Sequence, residues 1–243
     1  MNKIRSLLVG TGSWAETHAK AYQLCSEVEM EGVCGHSNIE RLDHVADTYR
    51  IPNRSTDLEG LIREAKPDML DIACNPRFRL EGVRAAMVPS IRLINLEKPL
   101  ALSPQDAYEI ERLCVENRKL LTVNHQTKFI PSWKKARLAI ADGKIGDVRF
   151  IRSSCQGNLL EQGTHLVDAT MSFVDYVPLR WVMGQVDELE GFDKESAGAP
   201  DAATATLCFE NGVRAVLDFG SAGAEIPGEG NKWHNYWSEV YGT

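Results

Sequence analysis

The sequence predicts an α/β protein of two domains. The first, over residues 1–125, is a doubly wound parallel sheet, and the second, over 126–243, is an α+β domain with a mainly antiparallel sheet. Three observations carry this expectation. Up to about residue 126, short apolar runs alternate with helix-like stretches, the pattern of βαβ units with helices on both faces of a parallel sheet. A Gly-x-Gly turn follows the first apolar run. Beyond residue 126, β-type stretches follow one another, and two of them flank Glu210-Asn211-Gly212, a hairpin signal. The 243 residues are enough for a real core and fall between one large domain and two small ones.

In chain order, Ile4 to Val9 reads as a buried strand and Ala15 to Ser26 as a helix. A second strand covers Met30 to Cys34. Ser37-Asn38-Ile39-Glu40 then opens a helix to about Tyr49 in capping-box fashion. Asp57 caps a short helix, and Pro67 separates it from the apolar strand Met69 to Cys74. A helix over Arg79 to Val88 and a strand over Ile91 to Leu96 follow. Ser103-Pro104 starts another helix, with proline at its first position, and Leu120 to Val123 is a strand. The second half begins with a helix over Ser132 to Ala141 and a strand over Val148 to Ser154. A helix over Leu160 to Phe173 comes next, and then strands over Trp181 to Val186, Ala203 to Phe209 and Val213 to Phe219.

Composition excludes several functions. The net charge is −7, from 27 Lys and Arg against 34 Asp and Glu. Without a basic block there is no surface for nucleic acid, whose phosphates need clustered cations. No apolar run approaches the roughly 20 residues of a membrane span. Cys25, Cys34, Cys74, Cys114, Cys155 and Cys208 are far apart, with no His at metal spacing. No metal site or disulfide framework is therefore expected, and the thiols read as small buried hydrophobes of a reducing compartment. The apolar stretch Leu7-Leu8-Val9 is too short for a signal-peptide core, so the expected location is cytoplasmic.

Gly10-Thr11-Gly12-Ser13-Trp14-Ala15 lies between the first strand and the first helix. That is the G-x-G-x-x-G/A dinucleotide fingerprint in its required context, a Rossmann arrangement. Gly10 permits the tight turn, Gly12 lets backbone approach a pyrophosphate at the helix N-terminus, and Ala15 allows close helix–strand packing. An acid at the end of the second strand would hold the ribose 2′-hydroxyl of NAD. Here that end reads Val33-Cys34-Gly35-His36-Ser37-Asn38. The missing carboxylate removes repulsion against a 2′-phosphate, which Ser37, Asn38, Arg41 and His36 could bind. The alternative is that Ser37 only caps a helix and Arg41 is a solvated charge. The cofactor expected is NAD(P), with NADP favoured.

Asn95-Leu96-Glu97-Lys98-Pro99 ends a strand, where open α/β sheets bind ligands. Glu161, His165 and Asp168, at i, i+4 and i+7, would share one helical face. Taken together, these motifs make the sequence resemble the glucose–fructose oxidoreductase/inositol dehydrogenase (Gfo/Idh/MocA) family. The matches are Gly10-Thr11-Gly12 with His18 downstream, Asn75-Pro76, Glu97-Lys98-Pro99, Asn124-His125-Gln126, and Gly163-Thr164-His165-Leu166-Val167-Asp168, in the family's order. The resemblance implies an NAD(P)-dependent dehydrogenase or reductase acting on a sugar, polyol or related carbonyl compound. It gives Lys98 contact with nicotinamide and substrate, and makes His165 the general acid/base. It puts Glu97 on the nicotinamide side with Pro99 fixing a turn, and Asn75, Pro76, Asn124 and Gln126 at the cofactor. A neutral imidazole suits proton removal from a hydroxyl losing hydride, and an ammonium stabilises developing alkoxide.

Two positions depart from the family. Glu161 stands where an Asp is common, which keeps a carboxylate on a longer arm near His165, and Leu80 stands where a His is common. Two other functions fit the same fold: a non-catalytic NAD(P)-binding regulator, and a glycosidase working by transient oxidation with bound NAD. Joint retention of Lys98 and His165 argues against the regulator. Trp233, His234, Asn235 and Trp237 follow a Gly/Pro-rich stretch and either line a sugar pocket or pack in a sheet or subunit contact. The sequence stops at Thr243, where members of the family typically continue, so a shortened C-terminal domain is expected. Its open sheet edge invites a homo-oligomer through the C-terminal sheet.

Overall fold

The computed structural model describes residues 3–187, 199–200, 202–231 and 235–243. The chain divides into two compact units, Met1–Asn124 and His125–Thr243.

The first unit alternates strands and helices throughout. Its elements are β1 (Ile4–Val9), α1 (Ser13–Gln23), β2 (Val28–Cys34), α2 (Ile39–Thr48), β3 (Asn53–Ser55), α3 (Leu58–Ala65), β4 (Met69–Ile72), α4 (Arg79–Ala85), β5 (Leu93–Glu97), α5 (Pro104–Glu116) and β6 (Leu120–Asn124). The six strands are parallel in the order β3-β2-β1-β4-β5-β6. Strand order reverses between β1 and β4, and ligands of such sheets bind outside the carboxyl ends at that crevice. Leu7 and Leu8 are adjacent in β1 and both fully buried. Successive strand side chains point to opposite faces, so both faces must be covered. Leu7 joins Leu70, Ile72, Ile94 and Leu96 in one core cluster, while Leu8 joins Ala15, Ala19, Leu42 and Val45 in another.

Strand β3 has no counterpart in the sequence reading, because Asn53-Arg54-Ser55 carries no apolar residue and pairs only at the sheet edge. Helix α4 stops at Ala85 rather than Val88, since Pro89 disfavours helical backbone at the residue before it. The N-cap of α2 is Asn38, not Ser37: the Asn38 Oδ1 accepts from the Arg41 N–H at 2.9 Å.

The second unit opens with a 3₁₀ turn, Gln126–Phe129. It continues through α6 (Pro131–Ala141), β7 (Phe150–Cys155), α7 (Thr164–Ser172), β8 (Leu179–Val186), β9 (Ala203–Phe209), β10 (Arg214–Phe219) and β11 (Tyr236–Tyr241). Its sheet runs β11-β7-β10-β9-β8. Three pairings are antiparallel, and β7 with β10 is parallel. Gly212 does sit in the β9–β10 hairpin, at φ +86°. The Gly212 N–H donates to the Phe209 carbonyl and the Phe209 N–H to the Val213 carbonyl, both at 2.9 Å, so a three-residue loop turns the chain rather than a two-residue one.

The expected continuous helix from Leu160 to Phe173 is broken. Leu159–Gly163 forms a π-helical turn, and regular α-helix starts at Thr164. The Asn158 side chain takes the Leu160 and Glu161 N–H groups at 3.1 and 2.9 Å, and its carbonyl takes the Gly163 N–H at 3.0 Å. That five-residue step widens the turn, so Glu161 and His165 do not follow ordinary α-helical register.

One face of this sheet packs Ile151, Leu207, Leu217 and Phe219 with Leu166 and Phe173. On the other face Arg152 lies 5.6 Å from the Trp237 ring centroid and Arg214 lies 5.9 Å from that of Trp181. Asn235 is buried; its side chain donates to Gln156 at 2.8 Å and accepts from the Ile226 N–H at 2.6 Å. Asn235 and Trp237 thus pack the sheet and its loop, the second of the two expectations for them. Trp233 and His234 lie outside the described residues.

Candidate functional site

In the first unit the site is built at the carboxyl ends of β1, β4, β5 and β6. Gly10 sits at φ +125°, and a Cβ there would lie 2.6 Å from the Ala73 carbonyl oxygen. Only glycine allows β1 to turn so close to β4. Gly12 caps α1 without a side-chain hydrogen bond, and a Cβ added to it would meet nothing within 4 Å. The space beside Gly12 at the start of α1 is therefore open, which fits a pyrophosphate cradle at the helix N-terminus. Ala15 is fully buried, as the fingerprint's packing residue should be.

The candidates after β2 divide into different tasks. His36 stacks on Phe78, ring centroids 5.4 Å apart, and Ser37 is exposed. Asn38 is committed to the α2 cap. The Arg41 Nε donates to the Thr11 carbonyl at 2.7 Å and its guanidinium pairs with Glu16 at 2.5 Å. Arg41 is thus tied to the glycine-rich turn while its side chain stays partly exposed. Asn75 accepts from the Arg77 N–H at 3.0 Å and caps the short turn Pro76–Phe78. Phe78 carried no signal in the sequence; only the turn after β4 brings it to His36.

Lys98 follows β5 directly and its peptide bond to Pro99 is cis. Its Nζ lies 5.8 Å from the Trp14 ring centroid, so the Glu-Lys-Pro segment reaches the residue beside the fingerprint. Arg79, buried at 4% exposure, donates to the Pro99 carbonyl and, at 3.1 and 3.2 Å, to the Cys74 carbonyl. Burial lowers its pKa to about 10, with Cys74 and Glu97 opposing, and it stays charged at neutral pH. A lone Arg in a helical stretch gave no hint of this clamp.

Behind Lys98 lies a polar network centred on the buried His18, Asp71 and Glu97. Alternation along β4, β5 and β6 puts Asp71, Asn95, Glu97, Thr122 and Asn124 on the sheet face opposite the apolar cluster, with Asp71 beside Asn95, Asn95 beside Thr122 and Glu97 beside Asn124. His18 on α1 meets this row. Its Nδ1 is 2.8 Å from Asp71 and its Nε2 is 3.4 Å from Glu97. Asn124 donates to Glu97 at 2.8 Å and Asn95 to Asp71 at 2.7 Å. Burial pushes the His18 pKa down, but the hydrogen bonds and charges of Asp71 and Glu97 outweigh it and raise it to about 9. Burial likewise pushes Glu97 up, and His18, Asn124 and Lys98 bring it below the ordinary carboxylate value.

In the second unit, His165 is buried in the first turn of α7. Its ring meets that of His125 edge-on, centroids 5.4 Å apart. Glu161 is half-buried in the π-helical turn, and Gln126 opens the 3₁₀ turn. Asp168 accepts from Lys128 at 3.2 Å and from the Tyr176 hydroxyl at 3.1 Å, which ties α7 to the 3₁₀ turn. Among the described residues, no cluster of three or more His, Cys, Asp or Glu could hold a metal ion, and no helix is long and apolar enough to cross a membrane.

The sign of the His18 shift predicts a pH dependence. Its pKa is about 9 in the fold against 6.5 ordinarily, so the native state holds the proton more tightly. The resulting stabilisation is complete below about pH 6.5 and is lost as the pH rises through about 9. Urea midpoints should fall between pH 6.5 and 9.5, and His18→Gln should flatten that fall; an equal fall in the variant would contradict the assignment.

Comparison with known proteins identifies the family of the first unit. Residues 4–125 match the Gfo/Idh/MocA model, described as an oxidoreductase family with an NAD-binding Rossmann fold. A D-glucoside 3-dehydrogenase of Escherichia coli K12 is 21% identical over 240 residues, covering 90% of this chain and 68% of that protein. An Agrobacterium radiobacter oxidoreductase solved with NAD+, L-tartaric acid and magnesium superposes with a TM-score of 0.84 at 19% identity, covering 99% of this chain and 72% of that one. A Sinorhizobium meliloti putative myo-inositol dehydrogenase gives 0.80 at 18% identity, covering 99% and 74%. At these identities the solved structures speak for the fold. The match over residues 4–125 shows that this chain belongs to the Gfo/Idh/MocA family of oxidoreductases, with an NAD-binding Rossmann fold as its first unit.

Proposed function

We propose that this chain transfers a hydride between NAD(P) and a carbon bearing a hydroxyl group on a sugar, a polyol or a related carbonyl compound. The observation that carries the proposal is the approach of Lys98, on its cis-Pro99 turn, to Trp14 at the fingerprint. The likeness to a D-glucoside 3-dehydrogenase supports the sugar class.

Gly10, Thr11, Gly12, Ser13 and Trp14 would hold the cofactor's pyrophosphate side. His36, Ser37, Asn38 and Arg41 would hold its ribose side, with Asn75, Pro76, Glu97, Asn124 and Gln126 completing the site. The bound nicotinamide supplies the hydride acceptor or donor. Lys98 places an ammonium at the reacting oxygen, where it stabilises developing negative charge. His165 takes or returns the hydroxyl proton, and Glu161 orients substrate or His165. The absence of an acid after β2, with Arg41 beside Thr11, supports a preference for NADP. The six separated thiols support a cytoplasmic location.

Lys98→Ala and His165→Ala should each cut turnover by at least 10³-fold while NADPH binding stays measurable, in a screen of sugars, polyols and their keto forms. Near wild-type turnover in both would overturn the mechanism. Fluorescence titration with NADH and NADPH should give the tighter constant for NADPH; a much tighter NADH constant ends that preference. The arginine- and tryptophan-bearing sheet face of the second unit supports a homo-oligomer. Light scattering should report more than one chain per particle, and a clean monomer refutes it.

A further inference from the structure

We propose that His18 is a positioning residue for Lys98: its doubly protonated ring, held between Asp71 and Glu97, ties helix α1 to the end of β5 and so sets where Lys98 is presented beside Trp14.

Both ring nitrogens of His18 face a carboxylate oxygen, at 2.8 Å to Asp71 and 3.4 Å to Glu97. A neutral imidazole has one N–H and can donate to only one of them; the charged ring donates to both. The Asn124 amide nitrogen offers the alternative, lying 3.0 Å from Nε2 and 2.8 Å from the Glu97 oxygen. A neutral ring would accept from Asn124 and release Glu97. The protonation state of His18 therefore decides whether Glu97, and with it the adjoining Lys98, is bonded to α1. Trp14 is on the same helix, one turn before His18, so both ends of this link bear on the Lys98–Trp14 contact.

The groups facing the ring and its partners come from every neighbouring element. Asp71 comes from β4, Glu97 and Asn95 from β5, Asn124 from β6 and Tyr22 from α1, where it bonds Asp71 and Asn95. Glu97 also feels Lys98 and the buried Arg79. The His18 transition is raised to about 9: burial lowers it, and the hydrogen bonds and charges of Asp71 and Glu97 outweigh burial.

The test uses the full chain without cofactor, labelled with 5-fluorotryptophan, and the Trp14 resonance identified by Trp14→Phe. In wild type the fluorine shift of Trp14 should step with a midpoint near pH 9. The step should be absent in His18→Gln, and should move down by one unit or more in Glu97→Gln, which serves alone if His18→Gln does not fold. A resonance flat across that range in wild type, or a step unchanged in the variants, overturns the proposal. NADPH affinity measured by fluorescence should weaken about 10-fold across the same step in wild type and be pH-independent in His18→Gln; an affinity that ignores the step also overturns it. The binding arm rests on the oxidoreductase reading. If neither NADH nor NADPH binds at any pH, that reading fails, and the fluorine step still decides the role of His18.

Discussion

A fully buried carboxylate in the middle of a parallel sheet must be answered by a charge or by hydrogen bonds, and Asp71 is such a group. Its position in β4 means that one face of the sheet cannot be purely apolar. The neighbouring strands comply: Asn95, Glu97, Thr122 and Asn124 continue the polar row across β5 and β6. Helix α1 then covers this row with His18 and Tyr22 instead of with aliphatic side chains. Much of the geometry near Lys98 descends from that requirement. The helix that carries the glycine-rich turn is bonded to the strands around the Glu-Lys-Pro turn, so the two segments share one polar network.

The clamp on the other side of the turn is of a different kind. Arg79 is a buried cation whose guanidinium is answered mainly by carbonyl oxygens, those of Pro99 and Cys74. Its planar array of donors suits several acceptors at once. Between His18 and Arg79, the segment from Glu97 to Pro99 is bonded on both flanks, while Lys98 itself stays half-buried at the surface of the network. Lys98 is thereby carried on a rigid support.

In the second unit, irregular backbone does comparable work. Asn158 caps a π-helical turn, which changes the register just before His165, and the pair Lys128–Asp168 fixes the following turn of α7. Burial would weaken the charge on Lys128, yet its bonds to Tyr176 and Asp168 raise its pKa, so the ion pair persists. Asp168, which its spacing put on one helical face with His165, is engaged with Lys128 and Tyr176, and the His125 ring meets that of His165 edge-on.

Local pattern determined a good deal by itself: the βαβ alternation, the glycine-rich turn with its buried Ala15, and the hairpin at Gly212. Each depends on neighbours in sequence, where periodicity and glycine's backbone freedom act directly. The edge strand β3 was illegible because three polar residues carry no periodic signal, and β11 because a sheet face of Trp and charge reads equally as a pocket. Tertiary structure alone decided the rest. His18 is a link only because Asp71 and Glu97, 53 and 79 positions away in the sequence, converge on its ring. Phe78 reaches His36, and Arg79 reaches Pro99, for the same reason. Such contacts are set by parallel strand pairing between distant segments, and residue type and spacing along a chain do not encode which buried polar groups will face each other.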